Sequence, residues 1–102
     1  MEKAWIYIPE CADGSYYTGK TENLERRLTE HQNGVFKGYT SSRLPVKLIY
    51  SQVFSTYLEA INAERQIKGW SRAKKQALIR WDFELLHHLA EYKNETYFKN
   101  RK

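Results

Sequence analysis

Five side chains have the types and spacing to do chemistry. The stretch "WIYIPECADGSYYTGKT" (5–21) sets Tyr7 and Tyr17 on either side of an Asp13-Gly14 turn. The stretch "LERRLTEH" (24–31) sets Arg27 and His31 four residues apart. Glu64 lies within "STYLEAINAERQIKGW" (55–70). Helical spacing places Arg27 and His31 on one face with Leu24 and Leu28. An arginine and a histidine aimed inward need partners, or the arginine must snorkel. Glu64 falls on a face with Tyr57, Ala60, Ile61, Ile67 and Lys68. A carboxylate there needs a cation. Two readings stand side by side: a structural salt bridge, with Arg27 as one candidate partner, and a hard oxygen ligand for a magnesium-like ion.

The elements that must position these groups are short. "AWIYI" and "SYYTGK" read as strands about a hairpin turn. A two-residue turn at Asp13-Gly14 puts Tyr7 and Tyr17 on opposite sheet faces. A three-residue loop, Ala12-Asp13-Gly14 with Gly14 left-handed, pairs Pro9 with Tyr17 and Tyr7 with Gly19. The two tyrosines then share a face, and Gly19 leaves space beside the Tyr7 phenol. Residues 21–34 read as a helix capped by Thr21 or Asn23 and stopped at Asn33-Gly34. Residues 34–45 read as a loop and 46–54 as a strand. A helix follows, capped by Ser55 or Thr56 and broken at Gly69. Ser71 caps a further helix through Arg80, and Asp82 a last one through Tyr92. The order ββαβααα with a small sheet argues an α+β fold.

The 102 residues fit one domain with a modest core. No run of about eighteen apolar residues is present, and the N-terminus lacks a signal-peptide pattern. The single cysteine, Cys11, has no internal partner, so a cytoplasmic protein is the expectation. Net charge is +5. The excess sits late in the chain: Arg65, Lys68, Arg72, Lys74, Lys75 and Arg80 come without an acidic residue between them. A polyanionic partner is the natural reading of such a run. His87 and His88 point about 100° apart on a helix and do not make a metal site by themselves. No glycine-rich nucleotide loop is present, so no small-molecule cofactor is expected.

Taken in order, "WIY" (5–7), "YTG" (17–19), "LERRLTEH" (24–31), "YTSSRLPVKLIY" (39–50) and "EAINAERQIKGWSRAKKQALI" (59–79) resemble the GIY-YIG nuclease superfamily, above all its small single-domain bacterial YhbQ-like type. The resemblance covers roughly residues 4–80. It implies a three-stranded antiparallel sheet flanked by helices, a nuclease domain over 1–82, and a C-terminal helix and tail over 83–102. It also implies roles. Tyr7 and Tyr17 match the motif tyrosines, one of them activating or orienting the attacking water. Arg27 matches the arginine that balances phosphate charge. His31 matches a position that assists proton transfer. Glu64 matches the single metal-ligating glutamate, with Mg²⁺ or Mn²⁺ as the ion. Trp5 stands where the first motif has glycine, and the late asparagine of some larger members has no equivalent here.

On this reading, Lys37, Tyr39, Arg43, Lys68, Arg72, Lys74 and Lys75 are the candidates for gripping a nucleic-acid backbone, with Tyr39 or Trp70 available to stack on bases. The expected activity is metal-dependent hydrolysis of DNA phosphodiester bonds in repair or processing, with branched or single-stranded DNA as the expected partner. The rivals are a non-catalytic nucleic-acid-binding module and a basic protein-interaction domain.

Overall fold

In the computed structural model, which describes residues 3–35 and 38–87, the chain divides into two compact units, residues 1–68 and residues 69–102. The first unit holds β1 (Ala4–Glu10), β2 (Gly19–Thr21), α1 (Leu24–Gln32), β3 (Lys47–Phe54) and α2 (Tyr57–Lys68). The second holds α3 (Arg72–Ile79) and a helical stretch over 83–87. The expected last helix through Tyr92 extends outside the described residues. No helix among the described residues is long and apolar enough to cross a membrane.

The sheet is antiparallel in the order β2-β1-β3. As the central strand, β1 supplies much of the core: Ala4, Ile6, Tyr7 and Ile8 have no exposed surface. The α2 helix packs on all three strands. Between Ile8 and Pro9 the β1–β3 register slips by one residue, so that Ile8 pairs with Tyr50 and Pro9 with Leu48. Proline has no N–H to give the ladder, and a bulge is where a sheet accommodates that loss.

The hairpin follows the three-residue alternative. Tyr7 pairs with Gly19, Glu10 bridges to Tyr16, and the Tyr17 N–H donates to the Pro9 carbonyl at 3.1 Å. The Cys11 N–H donates to the Ser15 carbonyl at 2.8 Å and closes the loop over Ala12-Asp13-Gly14. Gly14 has φ +86°, the left-handed conformation this loop requires. Asp13 accepts from both the Ser15 N–H and the Ser15 hydroxyl, which stiffens the turn. The regular part of β2 is shorter than expected and starts at Gly19.

The caps are local and legible. Asn23 accepts from the Arg26 N–H at 3.0 Å, and the Thr21 hydroxyl accepts from the Asn23 N–H at 3.1 Å. Thr56, Ser71 and Asp82 each accept from the N–H three residues on. The left-handed stop at Gly34 (φ +70°) ends α1. His31 is the buried residue of α1, deeper than either Leu24 or Leu28.

The space beside the Tyr7 phenol is already filled by the phenol itself. A methyl group on Gly19 would lie 2.6 Å from the Tyr7 Cζ and Oη atoms. Glycine is therefore required opposite Tyr7 so that the ring can lie flat on the neighbouring backbone. Gly19→Ala is expected to push the ring out of place and cost about 1–3 kcal/mol. Urea unfolding with Tm as a second readout checks this; an unchanged midpoint would mean that the ring shifts freely.

Candidate active site

The first unit brings Tyr7, Tyr17, Arg27 and His31 together. The Tyr7 and Tyr17 rings lie 6.3 Å apart between centroids, and each lies 5.5 Å from the His31 ring. Both phenols come from one sheet face, because Tyr7 faces Gly19 and Pro9 is opposite Tyr17 in the same register. The helix spacing of Arg27 and His31 turns both side chains of α1 toward that face.

A single chain of hydrogen bonds links the buried groups. The Tyr7 hydroxyl is 2.8 Å from His31 Nε2, and His31 Nδ1 is 2.7 Å from the Thr40 hydroxyl. Tyr7, His31 and Thr40 are all fully buried. The Arg27 guanidinium lies within interacting reach of the Tyr7 hydroxyl. A guanidinium can only donate, so the Tyr7 oxygen accepts from Arg27 and passes its own proton toward His31 Nε2. His31 Nδ1 then carries the hydrogen and donates to Thr40. The direction of the whole chain follows from Arg27 at its head.

The electrostatics agree with that direction. Burial, aided by Tyr17 and Glu64, pushes the Tyr7 phenol up to about 12 against the pull of Arg27, so it is protonated at neutral pH. Burial, then the nearby Arg27 charge, holds His31 below its ordinary value, with Glu30 opposing, so the imidazole is neutral and able to accept. Burial works against the Arg27 charge, but its bonds to Tyr7 and Glu30 outweigh that and raise its pKa. Arg27 Nε donates to Glu30 Oε1 at 3.1 Å, and Arg26 Nε lies 3.3 Å from Glu30 Oε2. Glu30 thereby fixes one edge of the Arg27 fork. Arg26, Arg27 and Glu30 line an open pocket of about 360 Å³ together with Lys20, Asn23 and Tyr57.

Glu64 sits on α2, 7% exposed. Two lysines face its oxygens. Lys20 Nζ lies 3.2 Å from Oε1 and Lys68 Nζ 3.1 Å from Oε2. Lys20 also lines the pocket, so the carboxylate stands beside the same cleft as Arg27. Among the described residues no three His, Cys, Asp or Glu side chains group into a metal cage. A lone carboxylate is the donor set that suits Mg²⁺, which keeps several waters and takes phosphate oxygens as further ligands. The residues present therefore fit an ion held by Glu64 alone on the protein side.

The expected backbone-gripping residues divide. Tyr39 is 41% exposed and stacks on Tyr17 at 6.3 Å with 19° between planes. Arg43 lies 3.8 Å from the Tyr39 ring centroid, pairs with Asp13 at 3.1 Å and donates to the Tyr39 carbonyl at 2.7 Å. These contacts tie the 38–46 loop to the hairpin beside the buried chain. Lys68 is engaged by Glu64. In the second unit, Arg72 is exposed and Lys75 half-buried, while Lys74 is buried with its ammonium 4.9 Å over the Trp70 ring. Lys37 lies outside the described residues.

Three contributors to the site were not singled out by sequence reasoning. Thr40 sits in "YTSSRLP", where a threonine looks like ordinary loop composition. Lys20 follows the "YTG" stretch directly and could have been suspected as the counter-ion of a nearby carboxylate. Glu30 belongs to the same helical face pattern as Arg26 and Arg27 at spacings of four and three.

The family model described as the GIY-YIG catalytic domain matches residues 3–77. A UPF0213 protein of Staphylococcus saprophyticus is 47% identical over 79 residues, covering 78% of this chain and 96% of that protein. A UPF0213 protein of Streptococcus pneumoniae is 47% identical over 77 residues, covering 76% of this chain and 78% of its own length. Two solution NMR structures share the fold. The protein EF2693 from E. faecalis has a TM-score of 0.57 at 38% identity, covering 83% of this chain and 90% of that one. The UPF0213 protein BH0048 from Bacillus halodurans has a TM-score of 0.53 at 38% identity, covering 78% and 84%.

The neutral, buried His31 makes stability depend on pH. Its pKa is lowered in the fold relative to about 6.5 in the unfolded chain. The unfolded state therefore takes up the proton first as pH falls, and stability declines below about pH 6.5. Above that range the contribution is fully present. Urea unfolding between pH 5 and 8 is expected to show this decline, and His31→Gln is expected to flatten it. An equal slope in both proteins would place the titration elsewhere.

Proposed function

The chain belongs to the GIY-YIG family, a nuclease superfamily, and from that premise we propose that it is an endonuclease that hydrolyses DNA phosphodiester bonds with one Mg²⁺ or Mn²⁺ ion, acting in the cytoplasm in DNA repair or processing. The observation that carries the proposal is the buried Tyr7–His31–Thr40 chain with Arg27 beside it, next to a carboxylate and an open pocket lined by Lys20, Arg26 and Arg27 together with Glu22 and Glu30. We assign the activity to the domain over residues 1–82.

Hydrolysis requires charge balance on the phosphate, a proton acceptor for the attacking water, and in-line positioning. Arg27, with one edge held by Glu30, presents the rest of its fork to the non-bridging oxygens. The Tyr7 hydroxyl has no exposed surface in the free chain, so the attacking water must enter beside Arg27; the hydroxyl then takes its proton as its own proton moves to His31 Nε2. The water oxygen forms the new bond to phosphorus, the bond to the leaving oxygen breaks, and that oxygen takes a proton from solvent. The Nδ1–H bond to Thr40 keeps His31 in the tautomer that can accept. A phenol held near 12 is a poor base alone, and the relay removes the need for it to lose its proton first. Glu64 would hold the ion, which supplies positive charge at the phosphate and at the leaving oxygen. Tyr17, Tyr39 and Arg43 form the rim on which the nucleic acid rests.

The direct test is incubation of the purified chain with branched, single-stranded and duplex DNA in Mg²⁺ or Mn²⁺. Wild type is expected to cleave. Glu64→Gln is expected to lose cleavage and keep binding, because the ion acts in the transition state while the backbone grip lies elsewhere. Affinity is expected to fall steeply with salt as counterions are displaced from the phosphates. Binding without cleavage by wild type would make the chain a non-catalytic nucleic-acid module. Neither binding nor cleavage would point to a protein partner.

A further inference from the structure

Both oxygens of Glu64 are occupied by the chain's own cations. Lys20 takes Oε1 at 3.2 Å and Lys68 takes Oε2 at 3.1 Å. The carboxylate side chain is 9% exposed, so it depends on these partners for its charge to be tolerated. The two lysines differ in what they would lose on leaving. The Lys20 side chain is 28% exposed and reaches across from β2, whereas the Lys68 side chain is 53% exposed and lies one turn along α2 from Glu64. A half-exposed ammonium rehydrates at little cost. Lys68 also stands in the last turn of its helix, where the carbonyl ends favour a cation without Glu64.

We propose that Lys68 competes with the divalent ion for Glu64, so that the ion enters by displacing the Lys68 ammonium from Oε2. This rests on the reading of Glu64 as the ion ligand. An ammonium a few ångströms from a carboxylate satisfies the charge that a dication would satisfy, and it repels the dication while it stays. Lys68 therefore lowers the affinity of the nucleic-acid-free chain for its ion. Displacement also releases a positive charge beside Glu64. A polyanion that attracts the freed ammonium favours ion uptake, and by reciprocity the ion favours the polyanion. Lys20 has more to lose on exposure and remains with Glu64, bridging it to the pocket that Arg27 lines.

The test is a Mn²⁺ titration of the full chain without nucleic acid, followed by the paramagnetic resonance signal of the free ion. Circular dichroism of each variant verifies the fold. Wild type is expected to bind weakly and E64Q to lose that binding. K68M is expected to bind roughly two- to fivefold more tightly, the size expected when a partly exposed ion pair no longer competes. K68Q is expected to match K68M, and K68R, which keeps the charge, to match wild type. Binding lost in E64Q but no tighter in K68M or K68Q would overturn the competition and leave the ion site standing. Wild-type binding retained in E64Q would overturn the ion site, and the competition with it.

Discussion

A phenol hydroxyl at the centre of a three-stranded sheet cannot be left without partners, because an unsatisfied buried hydroxyl costs about 1–3 kcal/mol. Tyr7 occupies that position, and much of the first unit is arranged to satisfy it. The Gly19 backbone opposite gives its ring room. The Ala12-Asp13-Gly14 loop fixes the register that brings Gly19 there. His31 turns inward from α1 to meet the hydroxyl, and Arg27 reaches it from the same helix face. Thr40 is buried in an otherwise polar loop because the second nitrogen of His31 also needs a partner.

The same arrangement explains how stability and reactivity coexist. A tyrosine pushed up to about 12 is inert as an isolated base. Joined to a neutral imidazole at 2.8 Å, it is the middle of a buried hydrogen-bond chain. Burial, which makes it a core residue, raises the phenol pKa most, and the group that lowers it, Arg27, lines the open pocket. Glu64 follows a comparable logic. Its burial is tolerated because two lysines neutralise it.

Much of this was legible in the sequence, and the reasons are physical. Caps are short-range, so Asn23, Thr56, Ser71 and Asp82 could be read from single residues. The hairpin offered two registers, and only the one with left-handed Gly14 puts both tyrosines on one face. Inward-pointing Arg27 and His31 were visible as polar residues on an apolar helix face. The partners of Glu64 were not visible. Lys20 is 44 residues away and joins it only through the packing of α2 on the sheet. Thr40 was hidden for the same reason: nothing local distinguishes a loop threonine that closes a buried chain from one that faces water. Lys74 reads as a solvent-facing charge within a basic run, yet it is buried over Trp70, because a long aliphatic stem and an aromatic face can cover each other.

The central claim is that the Tyr7 hydroxyl carries a proton from the attacking water to His31. Tyr7→Phe keeps the ring over Gly19 and removes only the oxygen. Single-turnover cleavage of DNA in Mn²⁺, compared between wild type and Tyr7→Phe with DNA binding measured in parallel, tests the claim most directly. The account predicts binding within about twofold of wild type and cleavage lower by about 100-fold or more, the usual size of a general-base contribution. Cleavage by Tyr7→Phe at the wild-type rate would contradict it and reduce Tyr7 to a core aromatic.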